Sequence, residues 1–196
     1  MRNMPIMTAS PVTRARILTA ARPVVDRFTV TKFSMEDVAR AAGVARQTIY
    51  KHFTGRDDLL VAIFVEQLVE MRRGLTRVAA NEPTAGNLVR LFEAELDEAM
   101  KFQFFDSMLD PNVAPRMAEL VFGSQAMFDE RNRTWFPILQ RYVDAGIVRS
   151  NLDFAAAVRW ITYQEFWLLT HPTVLTGGHE NRSTYIREFV VHALLA

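Results

Sequence analysis

Apolar residues recur along this chain at intervals of three and four, and no stretch alternates convincingly with period two. That periodicity predicts an all-α protein. Ile17, Leu18, Ala21, Val24, Val25 and Phe28 form one stripe and predict a helix over about 12–28, with a bend or break at Pro23. Met35, Val38, Ala39 and Ala42 form a second, narrow stripe after Ser34, which can cap a helix, with Glu36 and Asp37 in its first turn. Gly43 ends that helix, because glycine tolerates the left-handed conformation of a sharp stop. A third helix, about 45–53, buries Ile49 and Phe53. The fourth starts after Thr54-Gly55 and carries Leu60, Ile63, Phe64, Leu68, Met71, Leu75 and Val78. Further helices are expected at about 84–105, 114–127, 128–145, 153–171 and 182–195, with Pro111, Pro115, Gly146, Pro172 and Gly177-Gly178 between them. Pro137 falls early in its helix, where it is tolerated. The pattern divides into a three-helix N-terminal domain, 12–55, and a larger helical domain, 56–196.

The most informative stretch is Ser34 to Phe53. Ala39 leaves room for a close helix crossing, Gly43 supplies the turn four residues on, and Ile49 anchors the next helix six residues later. These offsets match a helix-turn-helix. Packing then leaves Arg46, Gln47, Tyr50 and Lys51 on one outward face. Arginine can read guanine and glutamine can read adenine in the major groove. Thr48, Tyr50, Lys51 and His52 are suited to phosphate oxygens, and Ser34 is a further DNA-binding candidate. Arg56, where the fourth helix begins, adds a cation beside a positive helix end.

Charge sharpens this reading. Residues 1–56 hold ten Lys/Arg against three acids, a net of +7, while the rest of the chain has a net of −6. Only the first part is thus suited to meet a polyanion. The chain has no cysteine, no signal-peptide pattern at its start and no run of 18 apolar residues, so a cytoplasmic protein with no membrane span is expected. His52, His171, His179 and His192 are scattered without metal-ligand spacing, and no Gly-rich phosphate loop occurs. Neither catalysis, a metal nor another cofactor is expected.

Arg16-Ile17-Leu18-Thr19-Ala20-Ala21, the segment Ser34 to Val44, Thr48-Ile49-Tyr50-Lys51-His52-Phe53 and Arg56-Asp57-Asp58-Leu59-Leu60 resemble the N-terminal domain of the TetR family of transcriptional regulators. The resemblance covers roughly residues 12–64. It implies a homodimer that binds a near-palindromic double-stranded DNA operator, usually as a repressor, and leaves it when a small molecule binds the C-terminal domain. Three departures stand out, one of them Gly55, which lies where a capping Ser is common. Thr29 and Val30 lie where the family usually has a glycine after its first helix, and Ala45 lies where it usually caps the recognition helix with Ser or Thr. The alternative is a helical small-molecule carrier or enzyme without sequence-specific DNA binding.

The C-terminal domain is dense in large apolar side chains. Phe92, Phe102, Phe105, Met108, Phe122, Met127, Phe128, Trp135, Phe136, Trp160, Tyr163 and Trp167 are candidates to line a site for a small hydrophobic ligand. Gln125, Asn132, Arg159, Tyr163 and Gln164 can supply polar groups. Glu93, Glu95, Asp97 and Glu98 read as a solvated acidic face. Phe154, Ala157, Val158, Ile161 and Leu168 stripe one late helix, and Ile186, Phe189, Val190, Ala193 and Leu194 the other. By the family resemblance these two stripes form a four-helix dimer interface; by pattern alone they could equally face their own core.

Overall fold

The computed structural model describes residues 10–102, 110–171 and 179–196. The helices are α1 (Pro11–Lys32), α2 (Met35–Ala42), α3 (Arg46–Tyr50), α4 (Arg56–Ala79), α5 (Ala85–Met100), α6 (Ala114–Gly123), α7 (Gln125–Asp144), α8 (Phe154–Thr170) and α9 (His179–Tyr185). The chain after α9 continues through a π-helical turn, Ile186–Val191, and a 3-10 turn, His192–Leu194. The all-α expectation holds. The one pairing of strand type among the described residues is the isolated bridge Val148–Leu195. No described helix is long and apolar enough to cross a membrane.

Two compact units divide after Phe64, within α4; the sequence reading divides after residue 55. In the first unit, Pro11 opens α1 at a position where a missing N–H costs nothing. Ile17, Leu18, Ala21 and Val25 of α1 are essentially buried, as are Val38, Ile49, Leu59 and Ile63, and α1 packs on α2. The expected break at Pro23 does not occur: helical geometry continues through it. Pro23 and Thr19, whose carbonyl loses its partner, both face solvent, so water can satisfy the freed oxygen.

The break falls instead at Thr29, with φ 67° and ψ 160°. Among the described residues it is the one non-glycine with positive φ. That region is favourable essentially only for glycine and costs a side chain about 1–3 kcal/mol. Burial on either side enforces it: Val30 and Phe33 are almost fully covered. The Phe33 N–H donates to the Thr29 carbonyl at 3.3 Å, and the Thr29 and Thr31 hydroxyls lie 3.0 Å apart.

The second unit holds the rest of α4 and the helices after it. Side-chain caps start several of them. Thr84 accepts from Asn87 N–H, Ser124 from Met127 N–H and Asp153 from Ala156 N–H. Ser124 explains why α6 and α7 meet there and not at 127/128 as the sequence pattern suggested. Its extended backbone ends one helix while its hydroxyl opens the next. Pro137 stands in the middle of α7, exposed, and the helix runs through it. Leu88, Leu91, Phe92, Leu96, Trp135, Leu139, Val158 and Ile161 form the core of this unit. The last residues are tied back by Arg149 N–H to the Leu194 carbonyl and Ala196 N–H to the Ile147 carbonyl, both at 3.1 Å.

Candidate nucleic-acid interface and ligand cleft

In the first unit, Ser34 stands before α2 in extended conformation. Its oxygen accepts from Asp37 N–H at 3.1 Å, and its hydroxyl donates to Asp37 Oδ2 at 2.5 Å. Its hydrogen bonds are thus made within the fold. At the other end Gly43 adopts φ 62°, ψ 38°; its N–H reaches the Arg40 carbonyl and Val44 N–H the Ala39 carbonyl, at 3.2 and 3.1 Å. This pair of bonds is a Schellman stop, which turns the chain sharply into α3.

α3 is short, and nothing caps its start: Ala45 makes no side-chain bond. The turn nevertheless continues past Tyr50, with His52 and Phe53 N–H both donating to the Ile49 carbonyl at 2.9 Å. Ile49 and Phe53 are buried. They hold the segment so that Arg46, Gln47, Tyr50 and Lys51 are exposed, with Thr48 and His52 half-buried beside them. The Arg46 guanidinium lies 5.7 Å from the Tyr50 ring centre, and the Tyr50 hydroxyl holds its pKa above the ordinary arginine value. One face therefore offers a fork of N–H donors, an amide, a phenol and an ammonium.

Arg56 does not belong to that face. It is half-buried; Nη2 donates to the Val30 carbonyl at 3.0 Å, and the guanidinium lies 4.7 Å from the Phe33 ring centre. It braces the strained end of α1 against the start of α4.

In the second unit the aromatic candidates do not converge on one site. Phe92 and Trp135 are fully buried and touch, with ring centres 4.8 Å apart: they are core. Phe122, Met127, Phe128 and Tyr163 come together, with Val121, Arg131, Arg159 and Thr162, around a small cleft among α6, α7 and α8. Phe122 and Tyr163 stack at 4.1 Å, and Arg159 lies over Phe128 at 4.6 Å. Trp167 faces elsewhere, stacked between His171 and Tyr185. Phe136 packs edge-on against Phe154, and Trp160 and Phe102 are half-buried. Phe105 and Met108 lie outside the described residues.

Beneath the cleft is a polar cluster that sequence reasoning missed. Arg131 of α7 donates to Glu95 of α5, to Glu165 of α8 and, through Nε at 3.1 Å, to Thr162. Glu95 is 1% exposed, so it is not part of the expected solvated face. The fully charged trio would carry −1. Burial pulls the Arg131 pKa down, but Glu165 and Glu95 more than reverse this and leave it raised. Burial pushes the Glu165 carboxyl well above the ordinary glutamate range, and Glu95 adds to the rise against the pull of Arg131. One oxygen of each carboxylate has no hydrogen-bond partner. A signal was present in the sequence: Glu95, Arg131 and Glu165 each interrupt an apolar stripe on a separate helix.

The two stripes assigned to a dimer behave differently from each other's members. Ala157, Val158, Ile161, Leu168, Ile186, Val190 and Leu194 are buried within their own unit. Phe189 is 63% exposed, Ala193 is exposed and Phe154 is half-buried. Phe189 contacts Tyr185 at 5.2 Å, and Tyr185 stacks on Trp167 at 5.8 Å, giving an aromatic row that runs from half-buried Trp167 to exposed Phe189.

Residues 17–63 match the family of bacterial regulatory proteins described as the tetR family. No curated protein matches the chain. Among solved structures, the chain is similar to the TetR-family transcriptional repressor QsdR of R. erythropolis, with a TM-score of 0.71 and 17% identity, covering 95% of each chain. It is similar to the TetR-family repressor AlkX of a Dietzia species, implicated in n-alkane biodegradation (TM-score 0.64, 16% identity, 95% and 98% covered). A third similar structure is the regulator FadR of Bacillus subtilis, in complex with stearoyl-CoA (TM-score 0.55, 16% identity, 93% and 97% covered).

Proposed function

We propose that this chain, whose residues 17–63 match the tetR family of bacterial regulatory proteins, is a cytoplasmic, non-enzymatic repressor of the TetR type that binds a near-palindromic operator as a homodimer. The observation that carries this reading is the exposed set Arg46, Gln47, Tyr50 and Lys51 on a helix anchored by buried Ile49. Arg46 and Gln47 read base edges; Tyr50, Lys51, Thr48 and His52 hold phosphates. A two-fold dimer would set two such helices into successive major grooves, about 34 Å or a multiple of it apart. A small, largely apolar molecule bound in the C-terminal unit lowers operator affinity; alkane-related and acyl-CoA chemistry in similar structures supports an apolar ligand.

Selection of genomic fragments on the purified protein, followed by sequencing, gives the operator. On that operator Arg46→Ala costs about 1–3 kcal/mol, concentrated at one base position. Lys51→Ala weakens all sequences alike and lowers the salt slope by about 1. Fragments recovered without sequence preference, with binding indifferent to salt, would refute the reading in favour of a carrier or enzyme.

A further inference from the structure

We propose that the cleft among α6, α7 and α8 takes a planar aromatic carboxylate, its ring against the Phe122–Tyr163 wall and its carboxylate on Arg159. The proposal deepens the ligand-responsive reading above and rests on it.

Shape limits the ligand first. The cleft as it stands is small, about 30 Å³, room for little more than a water molecule. A ligand must therefore lie across the open side, on surfaces already exposed. Phe122 and Tyr163 stack on each other, with ring centres 4.1 Å apart and 18° between their planes, so they offer a ligand ring edges and an outer face; Tyr163 is 49% exposed. A planar ring can meet such a pair by offset or edge contact.

Charge then orients the ligand. Arg159 lines the cleft, is exposed and sits over the Phe128 ring. Among the described residues its guanidinium makes no hydrogen bond or ion pair, so its fork is open to a two-point bond from a carboxylate. The ring beneath it fixes that fork in place. The inner end of the cleft has the opposite character. Arg131, which also lines it, is already held by Glu95, Glu165 and Thr162. An anion moved inward would meet two carboxyl groups sharing a single arginine. The anionic group is thus confined to the Arg159 end, and the ring lies across the open side against Phe122 and Tyr163.

Calorimetric titration of the full chain with 2-naphthoate and its uncharged analogue 2-naphthamide tests this. Naphthoate is expected to bind about tenfold or more tightly than the amide. Arg159→Gln should bring naphthoate down to the level of the amide and leave the amide unchanged, while Arg159→Lys keeps part of the difference. Thermal unfolding of each variant confirms that it folds. Equal binding of acid and amide, or naphthoate binding unaffected by Arg159→Gln, overturns the assignment of charge while leaving an apolar-ligand reading standing. Absence of binding by both overturns the cleft as a ligand site, and operator binding, measured separately, then tells whether the regulator reading survives.

Discussion

Thr29 shows how much one dihedral angle can determine. A threonine stands at φ 67°, a conformation favourable essentially only for glycine, and its neighbours Val30 and Phe33 are buried too firmly to let it relax. Thr29→Gly should remove about 1–3 kcal/mol of strain against about 0.5–1 kcal/mol for the added freedom of the unfolded chain. The expected outcome is a higher urea midpoint at unchanged slope. A lower midpoint would mean that the Thr29–Thr31 hydroxyl contact outweighs the strain. The departure itself was legible in the sequence as a missing glycine. Its partner was not: Arg56 reads as one more cation near a polyanion, and nothing in the local pattern reveals Phe33 and the Val30 carbonyl 26 residues earlier. Long-range use of a surface-looking charge has no periodic signature.

Between helices, the decisive feature is the cluster that joins α5, α7 and α8. Glu165 is raised in the folded state mainly because burial penalises its charge. The folded protein therefore holds this proton more tightly than the unfolded chain does. Its contribution to stability is full below the ordinary glutamate range and is lost as pH rises through the raised folded value. Urea unfolding across a pH series should show that decline in the second unit, and Glu165→Gln should flatten it, since the amide resembles the protonated acid. An unchanged pH profile in that variant would contradict the assignment. Arg131→Met should instead cost several kcal/mol, about 3–5 by analogy with broken buried pairs, because two carboxyls lose their common partner. Helix positions were mostly legible, since stripes at three and four extend over several turns. Boundaries were less so. Ser124 opens α7 through its hydroxyl, and a cap inside a run such as Phe-Gly-Ser-Gln is weak against the apolar residues around it.

For the whole molecule, the all-α class and the helix-turn-helix followed from spacing alone, because Ala39, Gly43 and Ile49 work through contacts between adjacent elements. The surface for a second copy did not, because an apolar stripe does not say whether it faces its own core. Most of the residues assigned to that surface are buried within one chain; Phe189, exposed beside Tyr185, is the one large apolar side chain of that set left outward. Phe189→Asp should convert a species of twice the 22.4 kDa chain mass into a monomer in size-exclusion light scattering, with helical content unchanged. A wild-type monomer at micromolar concentration would refute the dimer. The buried cluster also alters how the chain counts its own charge. The formal net of +1 treats every glutamate as ionised. Wherever Glu165 keeps its proton, the folded molecule carries one positive charge more than its composition implies. Opening the bundle then releases an acid equivalent to the buffer, so the heat of unfolding should vary with the buffer's own ionisation enthalpy.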